Sequence, residues 1–121
     1  MNDRELLELA ARGAGIPDAL YFDCVAQDMY HPRDGEAGIE VNHRDTRWSC
    51  LAIDGVWNPL TDDGDALRLA VLLNLEIHSP QSDPTVMFRT AEHDVFYQDT
   101  CIRRAIVRAA AEIGKSMGGG E

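Results

Sequence analysis

Three carboxylates and a hydroxyl lie close together in the middle of the chain, at Thr61, Asp62, Asp63 and Asp65. Carboxylate oxygens are the ligands that a hard cation such as Mg²⁺ prefers, although the spacing of a calcium-binding loop is absent. The same residues stand where a helix is predicted to begin. There, carboxylates bond the free N–H groups of the first turn and interact favourably with the helix dipole. We therefore expect helix capping as their main role, with a magnesium site as the weaker alternative and no other cofactor.

An aromatic ring, an amide and a rigid turn precede this cluster, at Trp57, Asn58 and Pro59. Such a segment could line a pocket for a nucleotide or another small molecule. Burial of Trp57 to anchor the loop on the core is the commoner arrangement. The hypothetical ligand loop comprises Trp57, Asn58, Thr61, Asp62, Asp63 and Asp65.

Histidine and cysteine are the other residues that could catalyse a reaction or bind a metal. They are His31, His43, His78, His93, Cys24, Cys50 and Cys101. These positions show no paired spacing of the kind that zinc sites need. Cys24 and Cys50 fall on apolar strand positions, where a buried thiol is expected. Cys101 falls at a helix start with Arg104 one turn away, which can activate a thiol, but a buried inert thiol is again favoured. We assign no catalytic residue and expect a protein that is not an enzyme.

Charge and length bound the function further. The 121 residues include 21 acids and 11 bases, for a net charge of −10, which disfavours direct binding of nucleic acid. The acids concentrate in residues 1–99, whereas residues 100–121 hold two acids and four bases. The odd number of cysteines, the acidic N-terminus and the lack of a long apolar run predict a cytoplasmic protein that does not enter a membrane.

Hydrophobic periodicity and capping residues predict three helices and five or six short strands. The helices are expected at residues 3–12, 65–74 and 100–117. The strands are expected near residues 20–25, 38–42, 48–53, 75–78, 85–91 and 94–98. This order predicts the α+β class, with the helices packed on a mixed or mostly antiparallel sheet. Residues 1–117 are expected to form one domain and residues 118–121 a disordered tail.

The second predicted helix is apolar around nearly its whole circumference from Ala66 to Leu73. Such a helix is either wedged between two layers or part of a subunit contact. The predicted interface comprises Leu69, Leu72, Leu73, Arg104 and Arg108. If the Leu72 flank is bare to water in an isolated chain, the case for an adaptor that assembles through this helix loses its basis.

The last helix carries Arg104, Arg108 and Lys115 opposite its apolar stripe. These bases could bind an acidic partner or a phosphate, although ordinary surface ion pairs are the simpler expectation. In a homo-oligomer, this helix would face the acidic surface of another copy.

Three blocks of the chain read RELLELAA from Arg4, VWNPLTDDGDALRLAV from Val56 and RRAIVRAAAEIG from Arg103. Together they resemble small proteins of phages and prophages, the phage ABA-sandwich domain family. The resemblance implies a three-layer α/β/α sandwich in a phage or an integrated prophage of a bacterium. The family carries no established activity, so it transfers no functional residues. Leu72 departs from the family pattern, which tends to have a polar or charged residue there.

Two functions follow as hypotheses. The first is a non-enzymatic binding module, a homo-oligomer that targets a basic host protein in the bacterial cytoplasm. In one version it blocks a host defence protein by acidic mimicry of nucleic acid, through residues 54–99 with nine acids and two bases. The second is a binder or hydrolase of a small nucleotide or signalling molecule that uses the loop from Trp57 to Asp65.

Overall fold

The structure is a computed structural model that describes residues 2–23, 37–42, 44–52, 55–78, 84–89 and 94–117. Its helices are α1 (Asp3–Gly13), α2 (Asp63–Leu72) and α3 (Ile102–Met117), with a 3₁₀ turn at Thr46–Trp48. Its strands are β1 (Tyr21–Phe22), β2 (Gly38–Glu40), β3 (Val56–Trp57), β4 (Glu76–His78), β5 (Thr85–Arg89) and β6 (Asp94–Gln98). The α+β class is confirmed. The predicted tail, residues 118–121, lies outside the described residues, as do Cys24, His31, His43 and His93.

The six strands form two separate antiparallel sheets rather than the single sheet that we expected. Sheet A has the order β1-β2-β3, and Ile39 at its centre pairs with Tyr21 and Trp57. Sheet B has the order β4-β5-β6, and Val86 at its centre pairs with Ile77 and Tyr97. Helix α2 lies between β3 and β4 in the chain and separates the two meanders.

Helices α1 and α3 pack directly against each other. Helix α1 also contacts β1 and β2 of sheet A, whereas α3 contacts β5 and β6 of sheet B and part of α2. The core therefore forms around the α1–α3 pair. The three-layer order that the resemblance implies stays a prediction.

Two glycines permit this close helix pair. A Cβ on Gly114 would collide with the carbonyl oxygen of Leu9, and a Cβ on Gly13 would collide with that of Ala110. Gly13 is the last residue of α1, so it both ends the helix and permits the contact with α3. Just beyond the helix, Gly15 has a φ of 99°. The predicted cap at the other end is confirmed, since Oδ1 of Asn2 accepts the Glu5 N–H at 2.9 Å.

Three strand predictions fail. Residues 48–53 were expected to be a strand, but the Asp45 side chain accepts the Arg47 N–H at 3.1 Å and caps a 3₁₀ turn there. No strand was expected in residues 56–63, yet they begin with β3, whose two residues are buried. In the predicted first strand, Leu20 is 61% and Phe22 43% exposed, so these two apolar side chains do not face the core.

Candidate functional site

Asp65 is the centre of the predicted ligand loop, and its carboxylate is fully buried in the first turn of α2. Its Oδ2 accepts the backbone N–H of Asn58 at 2.9 Å, and its Oδ1 lies 2.6 Å from Nη2 of Arg68. Nε of Arg68 also donates to the carbonyl of Leu51 at 3.0 Å. Asp65 and Arg68 thus tie together the loop before α2, the helix itself and the segment after the 3₁₀ turn.

The Asn58 amide is also used within the protein. Its Nδ2 donates to the carbonyl of Ala37 at 3.1 Å, and its Oδ1 accepts the N–H of Leu60 at 3.1 Å. The side chain shapes the turn before α2 and holds it against the start of β2. A buried amide with both ends bonded has little capacity left for a ligand.

Trp57 lies in the core with no exposed surface. Its ring packs against Trp48, with 5.7 Å between centroids and 60° between planes. The buried Nε1 has no hydrogen-bond acceptor among the described residues. This placement is the anchoring arrangement that aromatic burial favours.

The remaining polar residues of the loop bond to the protein as well. Oδ2 of Asp62 caps α2 by accepting the Asp65 N–H at 2.8 Å, and Thr61 Oγ1 donates to the Asn58 carbonyl at 3.4 Å. Oδ1 of the exposed Asp63 lies 2.7 Å from Nη1 of Arg103. Among the residues that the structure describes, no three metal-ligating side chains are placed to hold an ion. The loop geometry therefore supports capping and gives magnesium no assembled site.

The predicted interface on α2 divides between two faces of the helix. Leu69 is fully buried in the core and Leu73 is half-buried, so neither is presented to a partner as predicted. Leu72 is 42% exposed, beside Leu67 at 58% and Val71 at 71%, which the predicted set lacked. The Leu72 flank is thus partly open to water in the isolated chain. The argument that α2 is covered on every side therefore fails, and the homo-oligomer stays a prediction.

We call Leu67, Val71 and Leu72 the outer face of α2. Together with Cys50 and Arg68 they line a groove of about 460 Å³. The Cys50 thiol is exposed here, contrary to the expectation of a buried one, because its segment is a turn and not a strand. The groove lies on the side of α2 opposite its buried residues Ala66, Leu69 and Ala70.

The other two predicted interface residues, Arg104 and Arg108, lie on α3 beside Asp99. Nε of Arg104 is 3.9 Å and Nη1 of Arg108 is 3.4 Å from Oδ2 of this carboxylate. The Cys101 N–H also donates to Asp99, at 3.1 Å, and these contacts hold the pKa of Asp99 below its usual range. Both arginines remain partly exposed.

Four of the described acids in residues 54–99 form ion pairs with arginines of the protein, which weakens the case for acidic mimicry of nucleic acid. Asp62 and Asp65 lie within 4.0 Å of Arg68, and Asp63 and Asp99 lie within that distance of arginines on α3. Mimicry of a nucleic acid requires carboxylates free to meet a partner's bases. These four contribute little to such a surface.

The described cysteines and histidine show no catalytic pairing. Cys101 is half-buried, and its bond to Asp99 is made by the backbone N–H and not by the thiol. His78 lies 3.8 Å from Glu76 on strand β4. None of the helices in the described ranges has the length and hydropathy that a bilayer span requires.

Comparison with known proteins adds no relative to this picture. Neither a protein-family model, nor a curated protein, nor a solved structure matches the chain.

Proposed function

We propose that the protein is a non-enzymatic binding module that contacts a basic partner protein through the outer face of α2. The observation that carries the proposal is the exposure of Leu67, Val71 and Leu72 on one side of a helix whose other side is core. Single exposed apolar residues are ordinary on a protein surface. Three that adjoin one another along a groove are typical of a contact surface.

The helix presents these side chains in a form that suits a protein partner. Leu67 and Val71 are four residues apart and Leu72 follows, so they project along one stripe of α2. The groove beside them measures about 460 Å³. A partner's apolar side chain seated there would remove from water the surface that the isolated chain exposes.

The net charge of −10 favours a basic partner over a second copy of the chain. Two copies with the same negative charge repel each other, whereas a basic protein is attracted over several ångströms and associates faster. A second copy of the chain, which would form a homo-oligomer, is the less favoured alternative partner for the outer face. Because the described acids of residues 54–99 are largely paired, we assign the contact itself to the apolar side chains and only long-range steering to the charge.

The resemblance to phage proteins gives this proposal a biological setting. If the chain belongs to a phage or prophage, its basic partner is a protein of the bacterial host, met in the host cytoplasm. The resemblance names no host protein. The proposal therefore specifies the partner by its chemistry alone.

The test begins with capture of partners from a bacterial lysate on the immobilised protein, followed by purification of the captured protein. The binary complex is then measured by isothermal titration calorimetry. We expect Val71→Ser to weaken binding at least tenfold, because its side chain is 71% exposed in the contact surface. The matched control is Leu20→Ser, which alters an apolar side chain that is 61% exposed away from α2. It should bind within about twofold of wild type.

Three results would contradict the proposal. The first is a reconstituted complex that Val71→Ser and Leu20→Ser affect equally, and the second is a partner of acidic charge. The third is a dimer, seen by light scattering after size exclusion, that Val71→Ser dissociates, because it would assign the outer face to a second copy.

A further inference from the structure

A second cavity, of about 400 Å³, lies where α3 meets α1 and β6. We call it the α3 cavity. Its polar lining comes from Tyr97, Arg104, Arg108, Glu112 and Lys115, and its apolar lining from Leu6 and Ala111. The three bases fall on one stripe of α3, since each follows the one before it by one or two helical turns.

The charge of this cavity is opposite to that of the protein. Its lining carries three cationic side chains and one carboxylate, whereas the chain as a whole has a charge of −10. Local positive charge in an acidic protein attracts small anions. Four of the eleven bases lie in residues 100–121, so this concentration is already visible in the sequence.

The cations of the cavity have longer carboxylate contacts than three arginines elsewhere in the protein, although Arg4 is as loosely paired as they are, at 3.9 Å from Glu8. Their shortest carboxylate contacts are 3.3 Å for Arg104, 3.4 Å for Arg108 and 4.0 Å for Lys115. The corresponding contacts are 2.6 Å for Arg47, 2.6 Å for Arg68 and 2.7 Å for Arg103. Charge-assisted hydrogen bonds are strongest below about 2.9 Å. The bases of the α3 cavity therefore keep capacity for an incoming anion.

Arg108 is held by stacking and by two hydrogen bonds, since its Nη1 donates to the Gln98 carbonyl and to Oδ2 of Asp99, both at 3.4 Å. Its guanidinium carbon lies 5.3 Å from the centroid of the Tyr97 ring, and that ring is nearly parallel to Phe88, with 8° between planes. A cation–π contact fixes the plane of the group without using its N–H donors. The carboxylate of Glu112 faces the bases, since its Oε2 lies 4.0 Å from Nζ of Lys115.

We propose that the α3 cavity binds a small organic phosphate of about the size of a nucleoside monophosphate. The lining holds three cationic side chains and one carboxylate, and Asp3 and Asp99 contact its two arginines from outside it. Arginine donors suit the oxygens of a phosphate dianion. The volume lies at the lower end of the range of about 300–1,000 Å³ for small-ligand sites. The acids around the cavity, Asp3 and Asp99 among them, would repel a polyanion such as nucleic acid while leaving room for one phosphate. The site is distinct from the outer face of α2, so the two proposals stand or fall separately.

The test is titration of the full chain with AMP, inorganic phosphate and adenosine in a buffer of low ionic strength without phosphate. Binding is followed by ¹⁵N chemical shifts of the α3 amides. We expect saturable binding of AMP and of phosphate, with no binding of uncharged adenosine. Arg108→Gln and Lys115→Gln should each weaken AMP binding about tenfold, because each removes one charge-assisted contact.

The matched control is Arg44→Gln, which removes one positive charge from an exposed position outside the cavity. It should leave AMP affinity within about twofold of wild type, since only the overall charge changes. If Arg108→Gln does not fold, Lys115→Gln decides the question, because Lys115 is 53% exposed and its contact with Glu112 is 4.0 Å long. Absence of saturation by AMP and phosphate at about 10 mM would overturn the proposal. Equal weakening by Arg44→Gln, or adenosine binding as well as AMP, would also overturn it.

Discussion

Nη2 of Arg68 lies 2.6 Å from Oδ1 of Asp65, and the Asp65 side chain is only 1% exposed. The pair joins two residues of α2 that are one turn apart, and each also bonds a backbone group outside the helix. A buried ion pair adds little net stability over an apolar pair, because both charges lose their hydration. Loss of one member leaves the other as an uncompensated charge. The pair therefore fixes the loop before α2 in place more than it strengthens the fold.

Asp65→Ala should lower the free energy of unfolding by about 3–5 kcal/mol, because it leaves Arg68 without its close carboxylate and the Asn58 N–H without an acceptor. Urea denaturation followed by circular dichroism measures the change. Asp63→Ala is the control, since its side chain is 84% exposed and its pair with Arg103 lies at the surface. It should stay within about 1 kcal/mol of wild type. Equal effects of the two substitutions would show that Asp65 is not the tie that the geometry indicates.

Gly114→Ala should destabilise the protein by at least about 3 kcal/mol, since a Cβ there meets the backbone of α1 at Leu9 and neither helix can yield without separating. Gly64→Ala in α2 is the control, because its Cβ would meet only side-chain atoms of Asp62 and Arg68, at 3.2 and 3.3 Å. Its gain in helix propensity is opposed by this crowding, so the change should stay within about 1 kcal/mol. Thermal unfolding of both variants distinguishes the two cases. A Gly114→Ala protein as stable as wild type would mean that α1 and α3 pack less closely than described.

Local sequence signals predicted those parts of the fold that depend on neighbours in the chain. Asn2 caps α1, Asp62 caps α2, and the β5–β6 hairpin pairs as its alternation indicated. Each of these features requires only residues a few positions apart or two adjoining strands. Local chemistry therefore located the helices and sheet B.

The parts that failed depend on contacts between distant segments. Gly13 resembles a helix terminator in the sequence, and only the approach of α3 shows that it is also a packing residue. The alternation of the first strand gave a buried face, but it could not decide which face meets α1. In the sequence, Asp65 looked like one of several capping acids. The spacing from Arg68 indicates an ion pair within the helix, but the bond from the Asn58 N–H depends on the geometry of the turn before α2. Such information comes from tertiary structure and not from periodicity.

Leu69→Ala and Val71→Ala test the orientation of α2. Leu69 is fully buried, so its truncation should lower the free energy of unfolding by about 2–5 kcal/mol. Val71 is 71% exposed, and its truncation should change stability by less than about 0.5 kcal/mol. Leu72→Lys should also be tolerated and should leave the elution volume in size exclusion unchanged. Precipitation or a shifted volume for Leu72→Lys would indicate that the isolated chain does not expose this flank.

Mg²⁺ and nucleotides should give no loop-dependent rise in melting temperature. The three carboxylates and the Asn58 amide of the predicted ligand loop already bond protein groups. An ion would therefore have to displace Arg68, Arg103 or a capped N–H. A thermal-shift series with Mg²⁺ and nucleotides, repeated with Trp57→Ala and Asp63→Ala, checks this. A rise in melting temperature that is lost in Asp63→Ala but kept in Lys115→Gln would support a ligand site in the loop. A rise that is lost in Lys115→Gln but kept in Asp63→Ala would indicate binding in the α3 cavity.

Asp99→Asn should destabilise the protein at neutral pH and have less effect in acid. The pKa of Asp99 is lowered chiefly by the Cys101 N–H and then by Arg108, so the unfolded chain binds its proton more readily than the folded one. The stabilisation is therefore present above the unfolded value of about 3.9 and is lost as the pH falls through the folded pKa. Asparagine keeps an acceptor for Cys101 but removes the charge, so we expect a loss of about 1 kcal/mol at pH 7. Urea midpoints of both proteins at pH 7 and near pH 3 measure the difference. A variant equally destabilised at both pH values would show that Asp99 acts through hydrogen-bond geometry alone and not through its charge.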